Sequence, residues 1–220
     1  MANVAKYEMS QISGLLNHFD RSFVSENIDA SRTELNYNLA PTGNAKEHLN
    51  ELLKNVQHIN RKNLKVACDV VITCPQNVPE RLREDFFKKT YEFMVNRYGT
   101  NTGLSDASKN VLSAWVHMDE KTPHMHFCFA PIRYDNEKGV SKFDCKNIIN
   151  RHDLQTLHSD FQKHMQVNGL GAAKVANGGT LYKRIEVNGN EKYVPCTLKD
   201  LRQYEREHLH QHDYQRERIR

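Results

Sequence analysis

The chain has 220 residues, long enough to bury one sizeable core. Its 26% charged residues and mean hydropathy of −0.75 leave no apolar run of membrane-spanning length, and the opening MANVAKYEMSQ lacks the apolar stretch of a secretory signal, so a cytoplasmic location is expected. A net charge of +4 is compatible with a polyanionic partner without requiring one, and five cysteines at 68, 74, 128, 145 and 196, none in a CxxC pair, argue against a disulfide framework or a thiolate zinc site.

In chain order, residues 2–9 read as a first strand. A helix is predicted from about Ser10, with Ile12, Leu15, Leu16, Phe19 and Phe23 at helical spacing and His18 and Arg21 one turn apart on its polar side. The stretch NIDASRTELNYNLAPTG, rich in turn formers, carries Arg32, Asn36 and Tyr37 in a short extended element. A second helix is expected over 45–61, with Leu49, Leu52, Leu53, Val56 and Ile59 on one stripe.

VACDVVITC at 66–74 reads as a strand buried on both faces, being β-branched and ended by Pro75. Pro79 stands where a helix begins that runs to the Tyr98-Gly99 stop. VLSAWVHM at 111–118 and HMHFCFAPI at 124–132 are the clearest strands, and the short DEKTP segment between them makes them antiparallel neighbours.

A helix from Asp153 to about Val167 ends at Asn168-Gly169. Residues 171–180 read as a mobile loop, followed by a hairpin turning at 188–190 and a charged helix from Thr197 onward, in which HLHQH at 208–212 is solvated surface. The fold class expected is α+β, an antiparallel β-sheet flanked by α-helices on one or both faces. The chain is read as a single domain over 1–220, with 171–220 a loop, hairpin and helix extension.

Chemistry concentrates in HMDEKTPHMH at 117–126. Alternate residues of a strand share a face, so His124 and His126 project together while Met125, Phe127 and Phe129 turn into the core. His117 ends the preceding strand, and a six-residue turn folds it back beside that pair. Three imidazoles so placed bind a divalent cation and leave positions open for substrate oxygens. A closed structural zinc site would need a fourth ligand, which Asp119 or Glu120 could supply, and the plainest alternative is a set of surface histidines with no metal.

The same segment resembles the third motif of the MobV, or Mob/Pre, plasmid mobilisation relaxases, a branch of the HUH endonucleases. NHFDRSF at 17–23 resembles their first motif, a histidine followed three residues later by arginine, and SRTELNYNL at 31–39 their second. The three stand in the family's order, and the likeness covers about the first 170 residues, more loosely the rest.

The resemblance implies a metal-dependent, strand-specific DNA endonuclease and transesterase that nicks a transfer origin, stays bound to the 5′ phosphate through His18, and can rejoin the strand. It implies manganese or magnesium on His117, His124 and His126, Glu120 as the carboxylate that orients or deprotonates the nucleophile, and Arg21 as a phosphate contact. Tyr37 is the reserve nucleophile, although a packing role is favoured for it.

The implied partner is single-stranded or hairpin DNA at a transfer origin. Arg21, Arg32, Tyr37 and Lys142 are candidate contacts, with Arg61, Lys62 and Lys65 as further backbone cations. The charged end of the chain reads as a truncation before a C-terminal region that contacts a coupling protein or transfer machinery.

Two other functions compete. An HUH replication initiator would present a catalytic tyrosine on a helix after the metal pair, and Tyr134, Tyr182, Tyr193, Tyr204 and Tyr214 stand in no such setting. A non-enzymatic DNA-binding repressor would keep the metal as a structural element.

Overall fold

The computed structural model describes residues 2–22, 27–40 and 43–175, together with the backbone of Tyr182–Val187 and Asn190–Pro195. Strands β1 (Ala2–Glu8), β2 (Tyr37–Asn38), β3 (Lys65–Thr73), β4 (Val111–His117) and β5 (His124–Phe129) form one sheet in the order β1-β3-β5-β4-β2. Every pairing in it is antiparallel. The β-branched run expected at 66–74 lies in the interior of this sheet as β3. Its residues Val66 to Val70 are all buried, so the strand has a partner on each edge and side chains covered on each face.

Helices cover both faces, which explains why two apolar clusters form. On one face Val70, Ile72, Val116, Met125, Phe127 and Phe129 meet α3 (Arg83–Gly99) and α5 (Arg151–Val167) through Phe86, Phe93, Met94, Leu157, Phe161 and Met165. On the other, Ala67, Leu112 and Cys128 meet α1 (Ile12–Phe19) and α2 (Ala45–Asn55) through Ile12, Leu15, Phe19, Leu49 and Leu52. Asn44 caps α2 by accepting from the Lys46 and Glu47 amides, and Asn150 caps α5 by accepting from Asp153. Arg97 ties α3 to α5 through Asp153 at 2.8 Å and Asp160 at 3.0 Å.

Several boundaries differ from the periodicity. The first helix begins as a 3-10 turn over Met9–Gln11 and stops at Phe19, so Arg21 lies beyond it, and Phe23 lies outside the described residues. The second stops at Asn55 because Gln57 pairs with the strand at Ser141–Phe143 (Gln57 N to Ser141 O, 3.1 Å; Phe143 N to Gln57 O, 2.9 Å). Ile59, assigned to the buried stripe, is 72% exposed. The segment at 30–35 is a 3-10 helix rather than extended chain, followed by the short strand β2.

After β5 the chain turns at Ala130-Pro131 into a separate hairpin of β6 (Ile132–Asp135) and β7 (Val140–Phe143), leading to the short helix α4 (Cys145–Ile148). Ala173 and Val175, in the stretch read as a mobile loop, are buried in the core under α5.

Residues 1–177 make one compact unit and 178–220 a second. In the second, β8 (Tyr182–Val187) and β9 (Asn190–Pro195) pair as an antiparallel hairpin about the expected turn, while the charged helix expected from Thr197 lies outside the described residues. No helix among the described residues is long and apolar enough to cross a membrane.

Candidate active site

The register of β4 on β5 sets His117 directly opposite His124 and Trp115 opposite His126. Directly paired residues share a face, so all three imidazoles stand on the α1 side of the sheet. Their ring centroids are 5.1 to 5.2 Å apart in every pair. The last turn of α1 brings His18 to the same place, its ring 5.1 Å from His126 and 5.7 Å from His117. Ligand atoms of His18, His117 and His126 lie within 4.8 Å of one another, as do those of His117, Glu120 and His124. His117 belongs to both groups and so sits at the centre of the cluster.

Each of the three motif imidazoles is held by one ring nitrogen. His117 Nε2 lies 2.9 Å from the Phe19 carbonyl, His124 Nδ1 3.1 Å from the Thr122 carbonyl, and His126 Nδ1 2.8 Å from Asp69 Oδ2. A carbonyl only accepts, so at His117 and His124 the anchored nitrogen carries a proton, and in the neutral His117 ring the lone pair is therefore on Nδ1.

The free nitrogens His117 Nδ1 and His126 Nε2 are buried and have no hydrogen-bond partner among the described residues. Burial brings the pKa of both imidazoles down to about 3, with Arg21 adding to the effect at His117 and His124 at His126, so both rings are neutral. A buried polar atom left unpaired costs about 1–3 kcal/mol, and two beside each other need a common partner. A divalent cation would satisfy that need, because neutral imidazole nitrogens whose opposite nitrogens are hydrogen-bonded are metal donors.

Asp119 is no part of that set. Its fully buried carboxylate accepts from Arg21 Nε at 3.0 Å, Arg21 Nη2 at 2.6 Å, Asn36 Nδ2 at 2.6 Å and Thr33 Oγ1 at 3.2 Å. Although burial raises its pKa, these hydrogen bonds and the Arg21 charge outweigh burial and hold it below the usual carboxylate value. Asn36 also accepts from the Met118 amide at 2.7 Å, and the Asp119 carbonyl accepts from the Asp29 amide at 2.8 Å. One buried carboxylate thus binds together the three sequence motifs at 17–23, 31–39 and 117–126.

Arg21 reaches Asp119 from an unusual backbone. After Phe19 the chain closes a Schellman turn, with Ser22 N donating to Asn17 O at 3.0 Å, and Arg21 takes the left-handed position that such turns reserve for glycine. Its φ of 61° is the only positive value at a non-glycine among the described residues. The guanidinium is 5% exposed and contacts Glu120 Oε1 at 2.9 Å as well as Asp119. Expected as a phosphate contact, Arg21 is committed to two carboxylates; only Nη1, itself buried, remains without a partner.

Glu120 is held by Arg21 and by Asn27 Nδ2 at 3.3 Å, with Oε1 4.0 Å from His124 Nε2. No hydrogen bond joins it to His18. Its pKa is lowered, since the pull of His124 and Arg21 exceeds the opposing effect of burial. The pKa of His18 is lowered by partial burial, then by His126 and Arg21, so its ring is neutral near pH 7.

The remaining expected contacts lie elsewhere. Tyr37 pairs with Val116 and packs against the α3 side of the sheet, on the face opposite the imidazoles, and burial, with Glu84 and Cys74, pushes its phenol to about 12. Neither position nor acidity suits it as a nucleophile or a phosphate contact there. Lys142 sits on β7, bound to Asp135 at 2.7 Å and 4.0 Å from Asp144. Arg32 occupies the 3-10 helix next to Thr33, half-buried.

Sequence reasoning missed Asp69, whose one signal was a carboxylate inside an otherwise apolar β-branched strand. It is 2% exposed on β3, and burial pushes it up to about 8. Thr33 and Asn36 were missed as Asp119 ligands because the pairing is between motifs.

The plasmid recombination enzyme family, Mob_Pre, matches residues 1–193. A plasmid recombination enzyme of Lactiplantibacillus plantarum is 31% identical over 178 residues, covering 77% of this chain and 47% of its own length. A type 2 plasmid recombination enzyme of Staphylococcus aureus is 29% identical over 198 residues, 84% of this chain and 44% of its own. The chain therefore spans about half the length of these curated relatives.

The relaxase domain of MobM, crystallised with manganese and plasmid pMV158 oriT DNA, superimposes with a TM-score of 0.64 at 24% identity, over 77% of this chain and 86% of that one. A second crystal structure of the same domain gives 0.67 at 21% identity over 93% and 96%. The antiparallel sheet with helices on both faces is thus the fold of that domain, and on the match over residues 1–193 the chain belongs to the plasmid recombination enzyme family.

Proposed function

We propose that this chain is the DNA-nicking domain of a plasmid mobilisation relaxase, which cuts one strand at a transfer origin, retains the 5′ phosphate on His18 and can reseal the break. The observation that carries this reading is the placement of His18, from the end of α1, with its ring 5.1 Å from that of His126 in a cluster containing two buried, unpartnered imidazole nitrogens. Two relatives support it in name: the family of plasmid recombination enzymes, and a relaxase domain of the same fold titled as bound to manganese and oriT DNA.

A phosphodiester resists attack because its own charge repels nucleophiles. When bound, a divalent cation on His117, His124 and His126, manganese or magnesium, supplies neutralisation of the non-bridging oxygens and stabilises charge in the transition state. His18 is neutral and partly exposed, so one ring nitrogen can form the bond to phosphorus as the bond to the 3′ oxygen breaks. The departing 3′ oxygen takes a proton from solvent water, and the 5′ phosphate is left on His18 as a phosphoramidate. That linkage retains the energy of the broken ester, so the free 3′ hydroxyl reverses the reaction without a nucleotide cofactor.

Glu120, held by Arg21 and Asn27, is the carboxylate that takes the proton the attacking imidazole sheds, a transfer that requires the two side chains, not hydrogen-bonded in the free protein, to come into contact when DNA binds. Arg21 positions both carboxylates of the third motif. The DNA partner is single-stranded or hairpin DNA at a transfer origin.

The test is a denaturing gel after incubation with Mn²⁺ and a single-stranded oligonucleotide carrying the origin of the chain's own plasmid. A slow-migrating adduct that disappears in mild acid, and is absent with His18→Ala, is the expected result. An acid-stable adduct would move the chemistry to a tyrosine and so to an initiator-like enzyme. Absence of any adduct with bound origin DNA would make the protein a repressor.

A further inference from the structure

On the far side of β3 from Asp69, two thiols meet. Cys68 Sγ lies 3.5 Å from Cys145 Sγ, the first residue of α4. Cys68 is wholly buried in the α3-side core, whereas Cys145 is half-exposed and lines a cleft with Lys6, Arg61, Lys65 and Lys146. Lys6 is the cross-strand partner of Cys68 and donates to the Ile149 carbonyl at 2.9 Å, which keeps its ammonium at the mouth of this cleft. Asp144 is the only carboxylate among the cleft's lining residues.

We infer that Cys68 and Cys145 form an oxidisable pair, in which Cys145 is attacked through the basic cleft by a small anionic disulfide and Cys68 resolves the product to an intrachain disulfide. The roles follow from access. Among the described cysteines only Cys145 can meet a reagent from solvent, and only Cys68 stands within reach of the sulfur that has reacted.

The hydrogen bond between the two thiols lowers the Cys145 pKa, and Lys6 and Lys65 act in the same sense against burial. The bond to Cys145, then burial, raises that of Cys68. The thiolate of Cys145 attacks one sulfur of the reagent disulfide, forming a mixed disulfide and expelling one reagent thiolate. Cys68 then loses its proton and attacks the Cys145 sulfur, expelling the second reagent thiol. Two electrons pass from the protein to the reagent, which is the only oxidant required. The new bond ties α4 to β3 at the residue preceding Asp69.

The internal controls are Cys74, 4% exposed and raised to about 11 by burial, and Cys128, wholly buried. The experiment uses the full chain with Cys196→Ser and glutathione disulfide as the probe, followed by intact mass and peptide mapping. The expected product lacks two hydrogens and yields one cross-linked peptide pair containing Cys68 and Cys145. Cys68→Ala should stop at a glutathione adduct on Cys145, and Cys145→Ala should leave the chain unreacted.

Lys6→Gln keeps both thiols and should slow the first step several-fold at low salt, a difference that closes as salt screens the cleft. Neutral hydroxyethyl disulfide should likewise lag behind glutathione disulfide. Adducts on Cys74 or Cys128 at rates matching Cys145, a stable mixed disulfide that never resolves in the parent chain, or rates indifferent to Lys6 and to reagent charge would overturn the inference.

Discussion

Replacing Arg21 by alanine and, separately, by glycine distinguishes what its side chain contributes from what its backbone costs. The side chain is 5% exposed, and its carboxylate partner Asp119 is fully buried. Breaking such a pair leaves an uncompensated charge and typically costs about 3–5 kcal/mol. At φ 61° any L-residue bears about 1–2 kcal/mol of backbone strain, which alanine retains and glycine relieves, less part of that gain through its looser unfolded chain.

Alanine should therefore lose about 3–5 kcal/mol and glycine about 1 kcal/mol less, reversing the order found at ordinary helical positions. Urea unfolding reads this directly: with a slope near 2 kcal/mol per molar, the glycine midpoint should exceed the alanine midpoint by about 0.5 M. Both variants should fail to form the DNA adduct, because Asp119 and Glu120 lose their common anchor. Equal midpoints, or alanine above glycine, would refute the left-handed placement; losses under about 1 kcal/mol in both would refute the buried pairing.

Asp69→Asn should weaken Mn²⁺ binding by about 10–100-fold in calorimetric titration, since Asp69, protonated without metal, can ionise behind His126 when a cation binds and an amide cannot; an unchanged affinity would remove Asp69 from the site. Without metal, stability should fall as pH drops from 6.5 toward 5. His117 and His126, depressed to about 3, each take up about half a proton on unfolding at pH 6.5 and nearly a whole one at pH 5, while Asp69, raised to about 8, releases one; the net uptake therefore grows from about zero to about one proton, and the slope from about zero to about 1.4 kcal/mol per pH unit, or about 1 kcal/mol lost across the window. A flat urea profile over that range would contradict the neutral, buried state of the rings. Tyr37→Phe should leave adduct formation intact, as its side chain lies across the sheet from the imidazoles, while loss of the adduct would restore it as a nucleophile.

What could be read from the sequence was what depends on local periodicity. Alternation in HMHFCF placed His124 and His126 on one face and Met125, Phe127 and Phe129 on the other, and a six-residue connection was short enough to return His117 beside them. What could not be read depends on distant partners. Nothing local says that α2 yields at Asn55 to a strand pairing at Gln57, or that Lys142 is bound to Asp135 rather than left free for DNA. The Schellman turn was hidden for a related reason: its signature residue is glycine, and here arginine occupies the position, held there by carboxylates nearly a hundred residues away. A local rule broken at Arg21 is compensated by a tertiary contact within the site, which is where such violations are expected to gather.

The same geometry makes the nucleophile and the metal ligands depend on one helix. The last carbonyls of α1 have no partner within the helix; the Phe19 carbonyl finds one in the His117 ring, and that hydrogen bond assigns the His117 proton to Nε2 and its lone pair to Nδ1. Phe19 itself is 1% exposed and packs 4.8 Å from the His126 ring. The neighbouring residue, His18, is the proposed nucleophile. Anything that lifts the end of α1 from the sheet therefore withdraws the attacking imidazole and frees the His117 tautomer in one movement. The bidentate hold of Arg21 on Asp119, two residues past the end of this helix, opposes that movement directly, so in the proposed chemistry it keeps the two halves of the site assembled as one.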